Sequence, residues 1–416
     1  MRKLLFIALL LFTSVTFASA QDVVTEAMRE QLFEIQQQVI ERRELDLLAE
    51  APLTFPAHSE LEAFLKRRFL EDYPPEQLRR DQVFLRALDL AQPGLDLEAA
   101  LRDFWLTWIG GYYNIIDGSV NIVVRAEDGA LDALTIPQQV IYAHEIVHAL
   151  QDQHFDLERI IVDANKDGNR DRRLAIHALF EGDANYIMLD FLRRLQDADP
   201  AAVFRAYSAL REPDSEPEIP PVIIDAIEFP YRQGYLFIAE VVAALGWQGV
   251  NQALRDNPPQ TTEQIYHPQR YLAGEGAVPV HMPDHDEIIA AGWQRAYDGP
   301  VGEFFLRQHL QVYLAEFQAD DLATGWGGDR MRVFTNDTDD QLIWVLYQEW
   351  DSPHDAGEFA RGYQQLLEGR YRQGSDDGLC WVAETTHCMA QVGEKETRIS
   401  AAPHKEEALA LLALGD

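Results

Sequence analysis

The stretch Tyr142-Ala-His-Glu-Ile-Val-His-Ala-Leu-Gln-Asp-Gln-His154 carries His144 and Glu145 and, after two intervening residues, His148. This is the H-E-x-x-H spacing of zinc-assisted hydrolysis. On an α-helix two residues four positions apart sit about 40° apart around the axis and about 6 Å apart along it. Both imidazoles therefore share a face and can each give a nitrogen to one zinc ion. Glu145 is turned about 100° from His144, where it reaches a water on the metal rather than the metal itself. That is the position of a general base. Histidines on a helix are often merely solvated, but Ile141, Ala143, Ile146, Val147, Ala149 and Leu150 make this one apolar on most sides. Two buried histidines and a buried glutamate need a partner, because uncompensated polar burial is costly.

A third ligand has two candidates. His154 stands at the metzincin spacing, H-E-x-x-H-x-x-G-x-x-H, but Gln151 occupies the position of the glycine that bends that chain. On an unbroken helix His154 would lie about 9 Å beyond His148. Glu181 comes from a second apolar-faced helix, Leu174–Leu192, and falls between Leu179, Phe180 and Ala184. A His₂Glu set leaves the fourth position open, as catalytic zinc requires. Glu181 is the favoured ligand, which would leave His154 in the core or behind the ligands. Asn185, one turn beyond Glu181, is placed to orient a ligand. An oxyanion donor is also needed; Tyr231, Tyr235 and His267 are the candidates, Tyr231 first.

Between these two helices runs Asp163-Ala-Asn-Lys-Asp-Gly-Asn-Arg-Asp171. Asp163, Asn165, Asp167, Asn169 and Asp171, with Gly168 at the turn, match the first nine positions of a calcium-binding EF-hand loop. The bidentate glutamate of position twelve is replaced by Leu174, and Arg170, Arg172 and Arg173 dilute the charge. Calcium is a possible second ion here, against the plainer reading of a solvated acidic turn.

The elements that must hold these residues are mostly helical. Residues 24–50 read as an amphipathic helix with Val24, Met28, Leu32, Ile35 and Ile40 at helical spacing, either a docking helix or a propeptide. Helices follow over 58–71, 75–90 and 96–107. Two β-rich runs flank Asp117-Gly118, a hairpin signal just before the histidine helix. Its edge strand suits an extended peptide bound by β-augmentation. Met331–Thr335, Leu342–Trp350 and residues 379–400 alternate as strands, with helices at 354–368 and 404–414.

The chain opens with Met-Arg-Lys, an apolar Leu4–Phe12 run and Ala18-Ser19-Ala20, a Sec-type leader with an A-x-A cleavage site. The run is too short to span a bilayer, and the absence of a cysteine after the cleavage site excludes a lipid anchor there. A net charge of −34 argues against nucleic acid and anionic membrane as partners. The two cysteines, Cys380 and Cys388, are expected to pair in an oxidising compartment. The expected division is a signal peptide at 1–20, an N-terminal helical region at 21–109, a zincin-like core with a helical subdomain at 110–325, and a C-terminal α+β module at 326–416.

The strings HEIVHALQDQHFDL, LFEGDANY, FPYRQGYLFIAEVVAALGW, PPQTTEQIYHPQRY and GWGGDR together resemble a family of poorly characterised bacterial exported proteins with a gluzincin-like metallopeptidase core. The resemblance covers roughly 110–350. It implies that His144, His148 and Glu181 bind zinc and that Glu145 is catalytic; the calcium-like loop departs from the pattern. The expectation is thus a mainly helical α+β protein, exported to periplasm or medium, that hydrolyses peptide bonds with Glu145 as base and Tyr231 as oxyanion donor. Two alternatives stand beside it: an exported zinc-containing binding or scaffold protein without catalysis, and hydrolysis of a non-peptide amide.

Overall fold

The computed structural model describes residues 7–11 (backbone only), 25–56, 59–63, 65, 75–123, 132–166, 168–210, 219–285, 288, 292–336, 341–372, 375 and 378–413. The expected helix over 58–71 lies largely outside these residues. Helices dominate, with one small sheet near the N-terminus and a larger one near the C-terminus.

The first part holds β1 (Ile7–Leu11), α1 (Glu26–Arg43), β2 (Leu53–Thr54), α2 (Pro75–Ala87), α3 (Leu97–Trp108), β3 (Ile109–Asn114) and β4 (Ser119–Ile122). Thr25 caps α1 by accepting the Met28 amide at 3.1 Å, and Met28, Ile35 and Val39 are its buried stripe. The hairpin expected around Asp117-Gly118 is formed by β3 and β4, with Gly118 at a φ of 71°. The four strands lie in the order β1-β3-β4-β2. Residues 1–6 and 12–20 of the expected leader lie outside the described residues. Ile7–Leu11, set aside with that leader on sequence grounds, instead pairs in parallel with β3 and covers its edge.

Next comes α4 (Ile136–Phe155), which opens with Pro137 in its first turn, where a missing N–H costs nothing. The Gln138 side chain accepts the Thr135 amide at 2.9 Å and completes the start. Asp156, left-handed at a φ of 59°, ends it. After it follow α5 (Leu157–Asn165), α6 (Arg170–Ala198), α7 (Pro200–Ser208) and α8 (Pro221–Arg255), the last kinked at Gly246. Helices α6 and α8 run side by side in the same direction. Their starts share one cavity, Gly182 meets Gly234, and Tyr186 stacks on Tyr235 with centroids 5.6 Å apart. The backbones nearly touch at the glycines: a Cβ on Gly234 would stand 2.2 Å from the Ala178 carbonyl oxygen. Backbone cannot step aside as a side chain can. Gly234→Ala is expected to cost about 1–3 kcal/mol by overpacking, read as a lower urea midpoint; an unchanged midpoint would contradict this crossing.

The chain ends with α9 (Thr262–Tyr266), α10 (Pro268–Ala273), β5 (Gln294–Gly299), α11 (Gly302–Gln311), α12 (Glu316–Ala323), β6 (Trp326–Thr335), β7 (Leu342–Trp350), α13 (Pro353–Tyr371), β8 (Cys380–Trp381), β9 (Thr386–Val392), β10 (Glu396–Ala402) and α14 (Lys405–Leu411). The sheet order is β5-β6-β7-β10-β9-β8, so the sheet reaches back past residue 326 to Gln294. Cys380 and Cys388 face each other across β8 and β9 and form the expected disulfide. Alternation along β7 sends Trp344 and Leu346 to one face and Ile343, Val345 and Tyr347 to the other. The first face joins a core that also holds Met28, Val147, Phe180 and Phe237. The C-terminal sheet and the histidine helix are therefore packed on shared apolar ground. No described helix is long and apolar enough to cross a membrane.

Candidate metal centre

Helices α4 and α6 bring His144, His148 and Glu181 together, and among the described residues this is the one cluster of three potential ligands whose atoms lie within 4.8 Å of one another. The Nε2 atoms of His144 and His148 are 3.1 Å apart. Glu181 Oε2 is 3.1 Å from His144 Nε2 and 3.5 Å from His148 Nε2. Ligands about 2.0–2.1 Å from a tetrahedral zinc stand roughly 3.3 Å from one another. The three separations bracket that value, so the donor set fits zinc.

Burial and charge agree with it. Glu181 is buried, which would raise its pKa, but His148 and hydrogen bonds from both histidines bring it down to about 2. Burial pushes His144 down. For His148 burial also acts downward, yet Glu181, Glu145 and Gln151 outweigh it and hold it at about 9. Glu145 is fully buried, and among the described residues none meets hydrogen-bond geometry with either carboxylate oxygen. Burial pushes its carboxyl well above the usual range; the Tyr113 backbone amide of β3 acts against this without meeting hydrogen-bond geometry. A buried carboxylate left without hydrogen bonds is a poor structural element.

Strand β3 comes this close because Gly111 has no side chain. A Cβ there would lie 2.4 Å from Ile141 Cγ2 and 3.4 Å from Glu145 Oε1. The Tyr231 ring of α8 lies alongside His144 with centroids 5.9 Å apart, so the first-ranked oxyanion donor borders the centre. Tyr235 instead stacks on Tyr186, and His267 Nε2 is 3.0 Å from Glu303 Oε1.

Several expectations are corrected. His154 lies apart from the cluster and outside the core: α4 runs unbroken past it, and its Nε2 donates to the Asp46 carbonyl at 2.7 Å. Asn185 donates to the Tyr231 backbone oxygen at 2.8 Å, tying α6 to α8 rather than orienting a ligand. The calcium-like loop is not assembled. Asp163 and Asn165 belong to α5, Asp163 pairs with Lys166, and Asn169 caps α6 by accepting the Arg172 amide. Asp171 is buried and turned the other way, accepting the Thr262 amide at 3.1 Å. Asp167 lies outside the described residues. The helix-forming run Leu157–Asn165 and the Asn169 cap consume the residues that a calcium loop would need free.

A buried chain of hydrogen bonds that the sequence does not signal lies behind the centre. His148 Nδ1 lies 2.9 Å from Gln151 Oε1 and donates to it, which leaves Nε2 as the ring nitrogen that faces Glu181. Gln151 Nε2 donates to the Phe180 carbonyl at 3.1 Å and to Asp183 Oδ2 at 2.9 Å. Asp183 in turn accepts from Arg43 Nε at 2.8 Å, with both side chains fully buried. Arg43 also donates to Asn251 at 2.8 Å and lies over the Trp247 ring. Gln151 and Asp183 announce themselves only as polar residues inside apolar helices. Arg43, at the end of an amphipathic helix, gives no local signal. Its burial docks the end of α1 against α6 and α8.

A family model described as a domain of unknown function, DUF8575, matches residues 284–412. The matched stretch holds the six-stranded sheet and none of the four residues of the centre. No curated protein and no solved structure matches the chain.

Proposed function

We propose that this chain is an exported zinc metallopeptidase of gluzincin type, built on a zincin-like core in which β3 and β4 lie over the histidine helix. The observation that carries the reading is the meeting of three mutually 3.1–3.5 Å ligand atoms with the fully buried Glu145 carboxylate, which no described residue engages in good hydrogen-bond geometry. His144, His148 and Glu181 would hold the ion. Bound zinc supplies a water of lowered pKa and polarises a carbonyl. Glu145 takes the proton of the attacking water and passes it to the leaving amine. Tyr231 is assigned the donor role toward the oxyanion. By accepting from His148 Nδ1, Gln151 would leave Nε2 as the nitrogen available to the ion. Removal of the leader would uncover the β3 edge now paired with Ile7–Leu11, and a peptide substrate would take that place as an added strand. A structural zinc in a binding protein has no use for a buried Glu145 carboxylate beside it.

Elemental mass spectrometry of the purified protein tests the centre. One zinc per chain is expected in wild type and His154→Ala, and none in Glu181→Ala. Zinc lost only with His154 would overturn the ligand set. Cleavage of a peptide library that stops on adding a chelator tests the activity.

A further inference from the structure

A cavity of about 190 Å³ lies between α2, α3, α6, α8 and α11. Its apolar walls include Leu85, Leu97, Leu101, Ile223, Ile227 and Phe305. His177 of α6 opens into it and is itself exposed, so water reaches this space. Arg170, at one end, is held by Asp81 and by the faces of Phe84 and Tyr297, which closes that side. Two elements connect the cavity to the metal centre. His177 precedes Glu181 by one helical turn, about 6 Å along α6, and Ile227 precedes Tyr231 by one turn on α8, which runs in the same direction. The cavity therefore adjoins the layer in which Glu181 and Tyr231 meet His144. An apolar cavity of roughly 150 Å³ accommodates a benzene ring.

We propose that this cavity receives a large apolar side chain of the substrate, so that the centre selects peptides with an aromatic or leucine-like residue near the scissile bond. The proposal rests on the peptidase reading, and its occupant follows from continuity with the site: a peptide backbone held beside Glu181 and Tyr231 has this apolar space one helical turn away on both helices. Ala226, on the wall between Ile223 and Ile227, is the gate of the test. A phenylalanine there would fill the space that the substrate needs, while a truncated Leu101 would enlarge it.

The full metal-loaded chain is titrated by calorimetry with two peptide hydroxamates that differ only in a benzyl or a methyl side chain, which bind without turnover. Wild type is expected to prefer the benzyl probe by at least about 10-fold. Ala226→Phe should reduce that preference to less than about 3-fold with the methyl probe unchanged, and Leu101→Ala should retain it and admit a naphthylmethyl probe. Equal binding of the two probes by wild type overturns the cavity proposal. So does a preference that neither variant moves. A benzyl preference in a protein that cleaves no peptide keeps the cavity and overturns the peptidase reading, whereas a chain that takes up no metal removes both.

Discussion

Glu145→Gln is expected to lower the peptide-cleavage rate by at least about 10²-fold while the protein keeps its zinc. The substitution changes neither the size of the side chain nor its place on α4; it removes the ability to accept a proton. Glu145 is not among the three clustered ligand atoms, so metal content should not move. The buried oxygens also make no well-formed hydrogen bond to any described residue, so the change should not disturb the fold. A loss in kcat with KM nearly unchanged would place the effect in the transition state rather than in substrate binding. An unchanged rate in a zinc-bearing variant would end the mechanism. Loss of zinc together with the rate would instead make Glu145 part of the ligand set.

Arg43→Leu is the second large effect, expected on stability. Arg43 and Asp183 are both fully buried and joined at 2.8 Å. Removing one partner of such a pair leaves the other charge uncompensated in the interior, at about 3–5 kcal/mol. Arg43→Leu combined with Asp183→Leu removes both charges and should recover much of that loss, because apolar replacement of a whole buried pair is often close to neutral. Urea unfolding of the two variants and wild type measures this. A cost under about 1 kcal/mol for Arg43→Leu alone would contradict the pairing. The double variant also deprives Gln151 of the Asp183 acceptor, so zinc should bind more weakly there even where stability returns.

Local periodicity made much of the centre legible before any fold was known. The four-residue spacing of His144 and His148 sets their common face on any helix, and apolar neighbours on α4 and α6 imply that Glu145 and Glu181 are buried. The turn at Asp117-Gly118 and the alternation along β7 are likewise local properties, and so is the short loop that lets Cys380 reach Cys388. Such features depend on residues within one or two turns of each other, where backbone geometry alone decides.

Tertiary structure decided what lay beyond that range. Sequence left Glu181 and His154 in competition; the unbroken run of α4 to Phe155 carries His154 away to Asp46, and the packing of α6 on α4 brings Glu181 in. The loop from Asp163 to Asp171 spaces its oxygens as a calcium site does, yet helix formation and the Thr262 contact of Asp171 pull them apart. Arg43 reaches Asp183 across 140 positions of chain, and Ile7–Leu11 finds β3 about a hundred residues on. Spacing along the chain determined which residues can share a face; the meeting of faces depends on long-range packing and on which polar groups find partners once buried.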